Sequence, residues 1–268
     1  SPSAKVGHRQ TPIPYNPVLI NIESGLFFVV IPGLGSCLRR DARRSAPSLD
    51  NANRSILYGA PISVYCEACM EVIAAIKNRR AVKSFDPHHK ISEETRRVLL
   101  ETAVLAPSAY NIQHWRVVDV QDPAERAAIR EVAWGQAQVT DASALYVLCA
   151  DLNAWQKEPR RYWATSPQPV QDFLLPKLDE YYRGKQEVAR DEAMRTLGIF
   201  GMALMLVAQD LGYDSCPMDG FDFDAVAQII HLPADFAIGY MVAVGKGTDN
   251  AWPRNREPVE KLVYIDHF

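Results

Sequence analysis

Three cations, Arg79, Arg80 and Lys83, fall within five positions of the segment Arg79-Arg80-Ala81-Val82-Lys83-Ser84-Phe85, directly after an amphipathic apolar stretch. About 25 residues further on comes Ala106-Pro107-Ser108-Ala109-Tyr110-Asn111-Ile112-Gln113-His114-Trp115, a loop rich in small and amide residues. A third set, Arg254-Asn255-Arg256, follows Trp252-Pro253 near the end of the chain. Arginine presents a planar fork of donors suited to bidentate contact with phosphate. Small residues and amides suit the face and edges of a flat heteroaromatic ring. Taken singly, each basic cluster reads more readily as a solvated surface. Taken together, they predict a site for a planar, phosphorylated cofactor.

The remaining inventory supplies no competing chemistry. There is no Gly-x-Gly-x-x-Gly after a strand, no P-loop, no Gly-x-Ser-x-Gly elbow and no His-Glu-x-x-His. The six histidines (His8, His88, His89, His114, His231, His267) are scattered and read as surface or loop residues. The five cysteines (Cys37, Cys66, Cys69, Cys149, Cys216) are odd in number and unevenly spaced, so no disulfide framework is expected. Cys66-Glu67-Ala68-Cys69 has the spacing of half a zinc site, but no second Cys/His pair stands at suitable spacing, and no metal is expected. Reduced thiols in a cytoplasmic protein are the simpler reading.

Several elements must position these groups. Met70, Val72, Ile73, Ala75 and Ile76 predict a helix leading into Arg79. Ser92-Glu93-Glu94 is an N-cap with acids in the first turn, opening a helix to about Leu105 with Val98, Leu99, Thr102, Ala103 and Leu105 available for burial. A strand is predicted over Trp115–Val120, a helix from Asp122-Pro123 through Ala133, and a strand covered on both faces over Ala144–Ala150. The stretch from Leu152 to Gln186 is aromatic and proline-rich and reads as short helices and loops. Its aromatics, among them Trp155, Tyr162, Trp163 and Phe173, suit either a substrate roof or a local core. The longest periodic element runs from Val188 to Leu211 and stops at Gly212, a C-terminal capping glycine. Its second half is apolar almost all round. That predicts burial on every side, with Gly198, Gly201 and Ala203 admitting a second subunit. Strands over Tyr213–Pro217 and Ala237–Val244 flank a helix over Asp222–His231, and the tail from Gly245 is irregular. The order predicts an α/β or α+β domain of about 200 residues.

Composition separates this domain from what precedes it. Of the 268 residues, 48% are apolar and 23% charged, which is ordinary for a globular chain that can bury a large core. The overall charge of −3 argues against nucleic acid as a partner. Residues 1–65 nevertheless carry seven basic and three acidic residues, while 66–268 carry 22 basic and 29 acidic. The first part is also proline-rich and without clear periodicity, so it is expected to be an irregular extension. Its apolar run Leu26–Ile31 is too short to span a bilayer, and its arginines follow that run rather than precede it, a poor fit to a secretory signal. No membrane association is expected. The sequence begins at Ser1 rather than Met, so its native start is expected to lie upstream.

With these residues in view, the chain from about 68 to 268 resembles the flavin-dependent nitroreductase family. The blocks that carry the resemblance are Arg79–Asp86, Ala106–Trp115, Gly135-Gln136-Ala137-Gln138-Val139, the strand ending Cys149-Ala150-Asp151, the long helix with Gly212, Pro217-Met218-Asp219-Gly220-Phe221, and Arg254-Asn255-Arg256. No single block is decisive; their order and spacing are. Residues 1–65 match nothing in the family.

The resemblance implies an α+β sandwich, a central mixed or antiparallel sheet flanked by helices, in an intertwined homodimer with FMN at the subunit interface. It implies that Arg79, Arg80, Ala81 and Lys83 hold FMN from one subunit, with Lys83 towards the ring. Pro107, Ser108, Ala109, Asn111 and Gln113 would come from the other subunit. Gln136 or Gln138 would bond the pyrimidine edge, the backbone of Pro217, Asp219 and Gly220 would pass the N5 side, and Arg254 and Arg256 would complete the phosphate site. A cation at the ring edge is expected to raise the reduction potential. The implied reaction is ping-pong: NAD(P)H reduces the cofactor and leaves, and a nitroaromatic, quinone or similar small acceptor is then reduced. No side chain is needed as a catalytic nucleophile or acid.

Ala81 stands where many relatives have Ser, His114 where many have Pro, and Gln138 roughly where some have Lys. Ala81 removes one hydroxyl donor to the phosphate, and Gln138 weakens the expected positive field near the ring, with a different acceptor preference expected. A same-fold flavoenzyme with another reaction (dehalogenation, enone reduction, flavin fragmentation), a non-catalytic flavin-binding module, and a protein whose apolar helix simply dimerises all remain open at this level.

Overall fold

A computed structural model of the chain describes residues 70–249 and 251–268. The expectations for residues 1–65, and those for Cys66 and Cys69, lie outside the described residues. Four strands form one sheet: β1 (Trp115–Asp119), β2 (Ala144–Asp151), β3 (Asp214–Met218) and β4 (Phe236–Gly245). Their order is β1-β2-β4-β3, and every pairing is antiparallel. Of the mixed or antiparallel alternatives, the antiparallel one therefore holds for the named strands. The parallel contact among the described residues is a single bridge between Ala81 and Ser215.

Alternation along β2 builds two cores from one strand. Ala144, Tyr146, Leu148 and Ala150 point to one face, and Leu145, Val147 and Cys149 to the other. All eight β2 residues are buried, as a continuous apolar run requires. The first face packs under α2 (Glu93–Ala103) and α6 (Gln186–Asp210), which supply Leu99, Ala103, Leu197, Phe200 and Leu204. The second face is covered by α3 (Pro123–Val132), α4 (Gln138–Asp141) and α7 (Phe223–Ile229), with Ile129, Val139 and Val226. Helices on both faces of an antiparallel sheet make the domain α+β.

Local signals account for the helix ends. Ser92 Oγ accepts from Thr95 N at 3.1 Å, Asp122 Oδ1 from Ala124 N at 2.7 Å and Asp222 Oδ1 from Ala225 N at 3.0 Å. Gly212, at φ +73°, ends α6 in the left-handed conformation that suits glycine. α1 (Val72–Asn78) is shorter than the apolar pattern and ends just before Arg79.

Three expectations are corrected. Leu105 is 80% exposed, because α2 ends at Ala103 and the chain turns away before Leu105 reaches the core. The 152–186 region contains, besides two short 3-10 turns, a 15-residue helix α5 (Gln168–Tyr182) that runs through Pro176. Proline there removes one donor to the preceding turn, but burial of Leu178 and Tyr182 against Ile112, Ala154 and Trp155 holds the helix together. Trp155, Tyr162 and Tyr182 are thus local core, whereas Phe173 is 66% exposed. Finally, Gly201 does not open towards a second subunit. Gly201 seats against its own sheet, where an added Cβ would meet Tyr240 Oη at 1.8 Å. Gly198, Ile199, Met202 and Leu206 form a stripe that other elements leave partly or fully open. Among the described residues no helix is long and apolar enough to cross a membrane.

Candidate functional site

Residues 79–85 run along the outer edge of β3. Val82 N donates to Ser215 O at 3.1 Å, Asp86 N to Lys246 O at 2.8 Å, and Thr248 N to Ser84 O at 3.0 Å. Val82 and Phe85 anchor this segment in the core, each 4% exposed. Ala81 and Lys83, on the opposite side of the extended chain, are exposed. They open into a cleft of about 280 Å³ lined also by Arg79, Arg80, Trp252, Arg254 and Arg256. Arg254 Nη2 donates to the carbonyls of Ile76 and Arg79, tying the tail to the end of α1. Lys83 Nζ lies 5.3 Å from the Trp252 ring centroid.

The cleft is predominantly cationic, with Asp249 the one acid among its lining residues. Among the described residues no ion pair involves Arg79, Arg80, Lys83, Arg254 or Arg256. Arg79 Nε and Nη1 and Arg80 Nη1 are buried with no hydrogen-bond partner among the described residues. Burial, and then the charges of Arg254, Arg256 and Arg80, hold the Arg79 guanidinium below its ordinary pKa. Buried donors are normally satisfied, and like charges do not gather without a counter-charge. This donor set fits a phosphate, which accepts several charge-assisted bonds at once.

Beside the cleft stand the groups of β3 and the loops next to it. Burial raises the Cys216 thiol pKa, while Lys83 and Arg79 oppose the rise, which puts both cations near β3. Gln138 Nε2 donates to Gln136 Oε1 at 2.9 Å, and Gln136 Nε2 to Gly220 O at 2.9 Å. The two glutamines therefore form a relay, not two independent donors, and Gln138 is buried. The relay links them to the Pro217–Gly220 turn. The structure thus groups Arg79, Arg80, Ala81, Lys83, Arg254 and Arg256 in one cleft, and ties Gln136, Gln138 and Gly220 together next to Pro217 and Asp219.

It does not bring the 107–113 loop to this cleft. That loop leads into β1, at the far edge of the sheet from β3, so three strand spacings, on the order of 14 Å, intervene. The loop is itself unusual. Tyr110, Asn111 and Gln113 have φ of 51°, 55° and 55°. Non-glycine residues seldom adopt this region, and such strain collects where surrounding structure imposes it for function. Gln113 N donates to Ser108 Oγ at 3.0 Å and Asn111 Nδ2 to Tyr162 O at 2.9 Å, which hold the shape.

Pattern reading missed Trp134. It is 80% exposed, has φ 58°, and lies so close to Gly220 that a Cβ there would meet its ring at 2.6 Å. Nothing in local sequence signals this, because the contact is made across two loops. Arg116 and Arg161 were also missed; they are brought together by tertiary packing alone.

Comparison with known proteins finds several that this chain resembles over most of the described residues. The Nitroreductase family model matches residues 76–246. Protein DrgA of Synechocystis sp. is 48% identical over 202 residues, covering 73% of this chain and 96% of DrgA. An NADH dehydrogenase of Thermus thermophilus is 34% identical over 205 residues, covering 71% and 93%. A crystal structure from Exiguobacterium sibiricum, solved in complex with FMN, is similar with a TM-score of 0.68 at 27% identity, covering 74% of this chain and 98% of that one.

Proposed function

Because this chain belongs to the nitroreductase family, we propose that it is an FMN-dependent oxidoreductase. In this reading it takes hydride from NAD(P)H and reduces nitroaromatic, quinone or similar small acceptors by a ping-pong mechanism. The observation that carries the proposal is the set of guanidinium donors on Arg79 and Arg80 that are buried without a partner among the described residues, in a cleft with two further arginines whose one lining acid, Asp249, pairs with none of them there.

Arg79, Arg80, Arg254 and Arg256 would bind the FMN phosphate. When bound, FMN supplies the two-electron chemistry, accepting hydride from the nicotinamide and passing electrons to the acceptor. Lys83, in the same cleft, would place a positive charge towards the ring and favour added negative charge there. Gln136 or Gln138, joined in one relay, would bond the pyrimidine edge. The backbone at Pro217, Asp219 and Gly220 would pass the other side. Pro107, Ser108, Ala109, Asn111 and Gln113 would close the site from a second copy of the chain. The separation of the two groups across the sheet supports that arrangement, as does the open stripe Gly198, Ile199, Met202 and Leu206 on α6. The protein is thus proposed to act as a homodimer with two sites, each built by both copies. The flavin-binding domain spans residues 66–268, and residues 1–65 form an extension to it.

The visible spectrum of the purified protein tests this. Oxidised-flavin absorbance that bleaches anaerobically with NADPH or NADH, and returns on adding a quinone, is expected. A colourless protein that takes up no FMN would overturn the reading.

A further inference from the structure

A second basic pocket opens beside the strained 107–113 loop. It encloses about 320 Å³ and is lined by Gln113, Trp115, Arg116, Arg161 and Tyr162. Both guanidinium groups are held in place. Arg161 lies 4.7 Å from the Tyr162 ring centroid, and its Nη2 donates to Tyr162 Oη at 2.6 Å. That hydroxyl donates in turn to Ala154 O at 3.0 Å, and the Tyr162 ring is buried, so the platform under Arg161 is fixed. Arg116 Nη1 donates to the carbonyls of Gln113 at 3.1 Å and Trp115 at 2.7 Å.

The two charges are nevertheless poorly compensated. Among the described residues Arg161 forms no ion pair. Arg116 Nη2 comes only to 3.8 Å from Asp151, whose two oxygens both accept from Lys157 Nζ at 2.9 Å. Two preorganised guanidinium groups beside aromatic rings form a receptor for phosphate oxygens attached to a planar ligand. The pocket shares Gln113 with the loop proposed above to close over the flavin. A ligand reaching the ring from this side would leave its anionic portion between Arg116 and Arg161.

We infer that the Arg116–Arg161 pocket receives the diphosphate of the nicotinamide dinucleotide, so that this chain selects its hydride donor by phosphate contact. The inference rests on the flavin-site reading.

The test uses flavin-loaded wild-type protein and the variants Arg161→Ala, Arg161→Lys and Arg161→Glu. Their turnover with NADPH and NADH is compared with that on 1-benzyl-1,4-dihydronicotinamide, a donor without phosphate, at a fixed uncharged quinone. For the Ala variant, KM for both dinucleotides should rise roughly tenfold. The rise should be larger for Glu and smaller for Lys, with kcat retained, while kcat/KM for the benzyl donor changes less than about twofold. ADP-ribose should bind the wild type, measured by calorimetry, and bind the Ala variant roughly tenfold more weakly. Equal losses on all three donors, or unchanged dinucleotide KM values, would overturn the inference while leaving the flavin reading intact. Protein that carries no flavin, and shows no bleaching even by the benzyl donor, would remove the flavin reading and this inference with it.

Discussion

Arg254 donates its guanidinium to the main-chain carbonyl of Arg79, a residue 175 positions earlier. One end of the chain thereby completes a cleft begun by the other, and two guanidinium groups are fixed side by side. Removing Arg79 together with Arg256 should release the cofactor. Each charge-assisted bond contributes about 1.5–3 kcal/mol, so loss of two phosphate contacts should weaken FMN binding by on the order of 10²–10⁴-fold. Flavin absorbance per protomer after gel filtration measures it. A double variant that kept one flavin per protomer would show that the phosphate lies elsewhere.

The same cluster makes an opposite prediction for the flavin-free protein. Arg79 buries donors that have no partner among the described residues and faces three like charges. Arg79→Ala should therefore leave the apoprotein as stable as the wild type or raise its Tm by a few degrees, and lower the Tm of the FMN-saturated protein. Paired thermal melts with and without excess FMN read both signs at once.

Packing of α6 on the sheet depends on one missing side chain. At Gly201 an added Cβ would lie 1.8 Å from Tyr240 Oη and 2.6 Å from Cζ. The tyrosine cannot simply retreat, because its hydroxyl donates to Leu197 O at 3.1 Å. Gly201→Ala should destabilise the fold by about 1–3 kcal/mol, measured by urea unfolding. Adding Tyr240→Phe should restore part of that loss by removing the nearest atom, whereas Gly198→Ala, with nothing within 4 Å of its Cβ, should cost little.

What was legible in the sequence follows from how locally each feature is determined. Ser92, Asp122 and Gly212 announce helix ends because a cap is a contact within three or four residues. The cationic cleft was legible because its charges are dense at 79–83 and 254–256, and charge density survives without knowledge of the fold. The sheet order was not, since pairing β2 with β4 joins segments almost a hundred residues apart, and no local pattern encodes that choice. α5 was missed because Pro176 reads as a breaker. The cost of one lost bond is local, but the burial of Leu178 and Tyr182 that offsets it is tertiary. The αL turn at Trp134 and the Arg116–Arg161 pocket were invisible for the same reason.

The open face of α6 is the natural place to test assembly. Ile199 is 45% exposed on α6, and Val72 and Ile73 on α1 are 68% and 67% exposed. Ile199→Arg would place a charge in each copy of a buried interface. Lost burial contributes about 1.5–3 kcal/mol per site, and desolvating the new charges adds several more, so dimer Kd should rise by at least about 10³-fold. Sedimentation should show monomer at micromolar concentration, and flavin should be lost with it if, as proposed, each site is built by both copies. A monomeric variant that kept its flavin would place the whole site within one chain.

Acid sensitivity should centre on His114. Its side chain is fully buried, and neither ring nitrogen has a hydrogen-bond partner among the described residues. Burial lowers its pKa from 6.5 to about 4, against the opposing pull of Glu192 and Asp151 and with a smaller push from Arg116. The folded protein therefore keeps the imidazole neutral at pH values where the unfolded chain protonates it. The unfolded state binds more protons between those two values, so stability rises with pH across that window. The contribution is complete above about pH 6.5 and is lost progressively as pH falls towards 4, by an amount on the order of 3 kcal/mol. His114→Leu should remove this slope, so that unfolding free energies measured at pH 7 and pH 5 converge relative to the wild type. Because His114 N–H and C=O belong to the backbone, the bond from Asp151 N to His114 O at 2.9 Å should survive the substitution. An unchanged difference between the two pH values in the variant would assign the acid limb to other groups, such as Asp235, whose carboxyl Lys157 holds below its ordinary pKa.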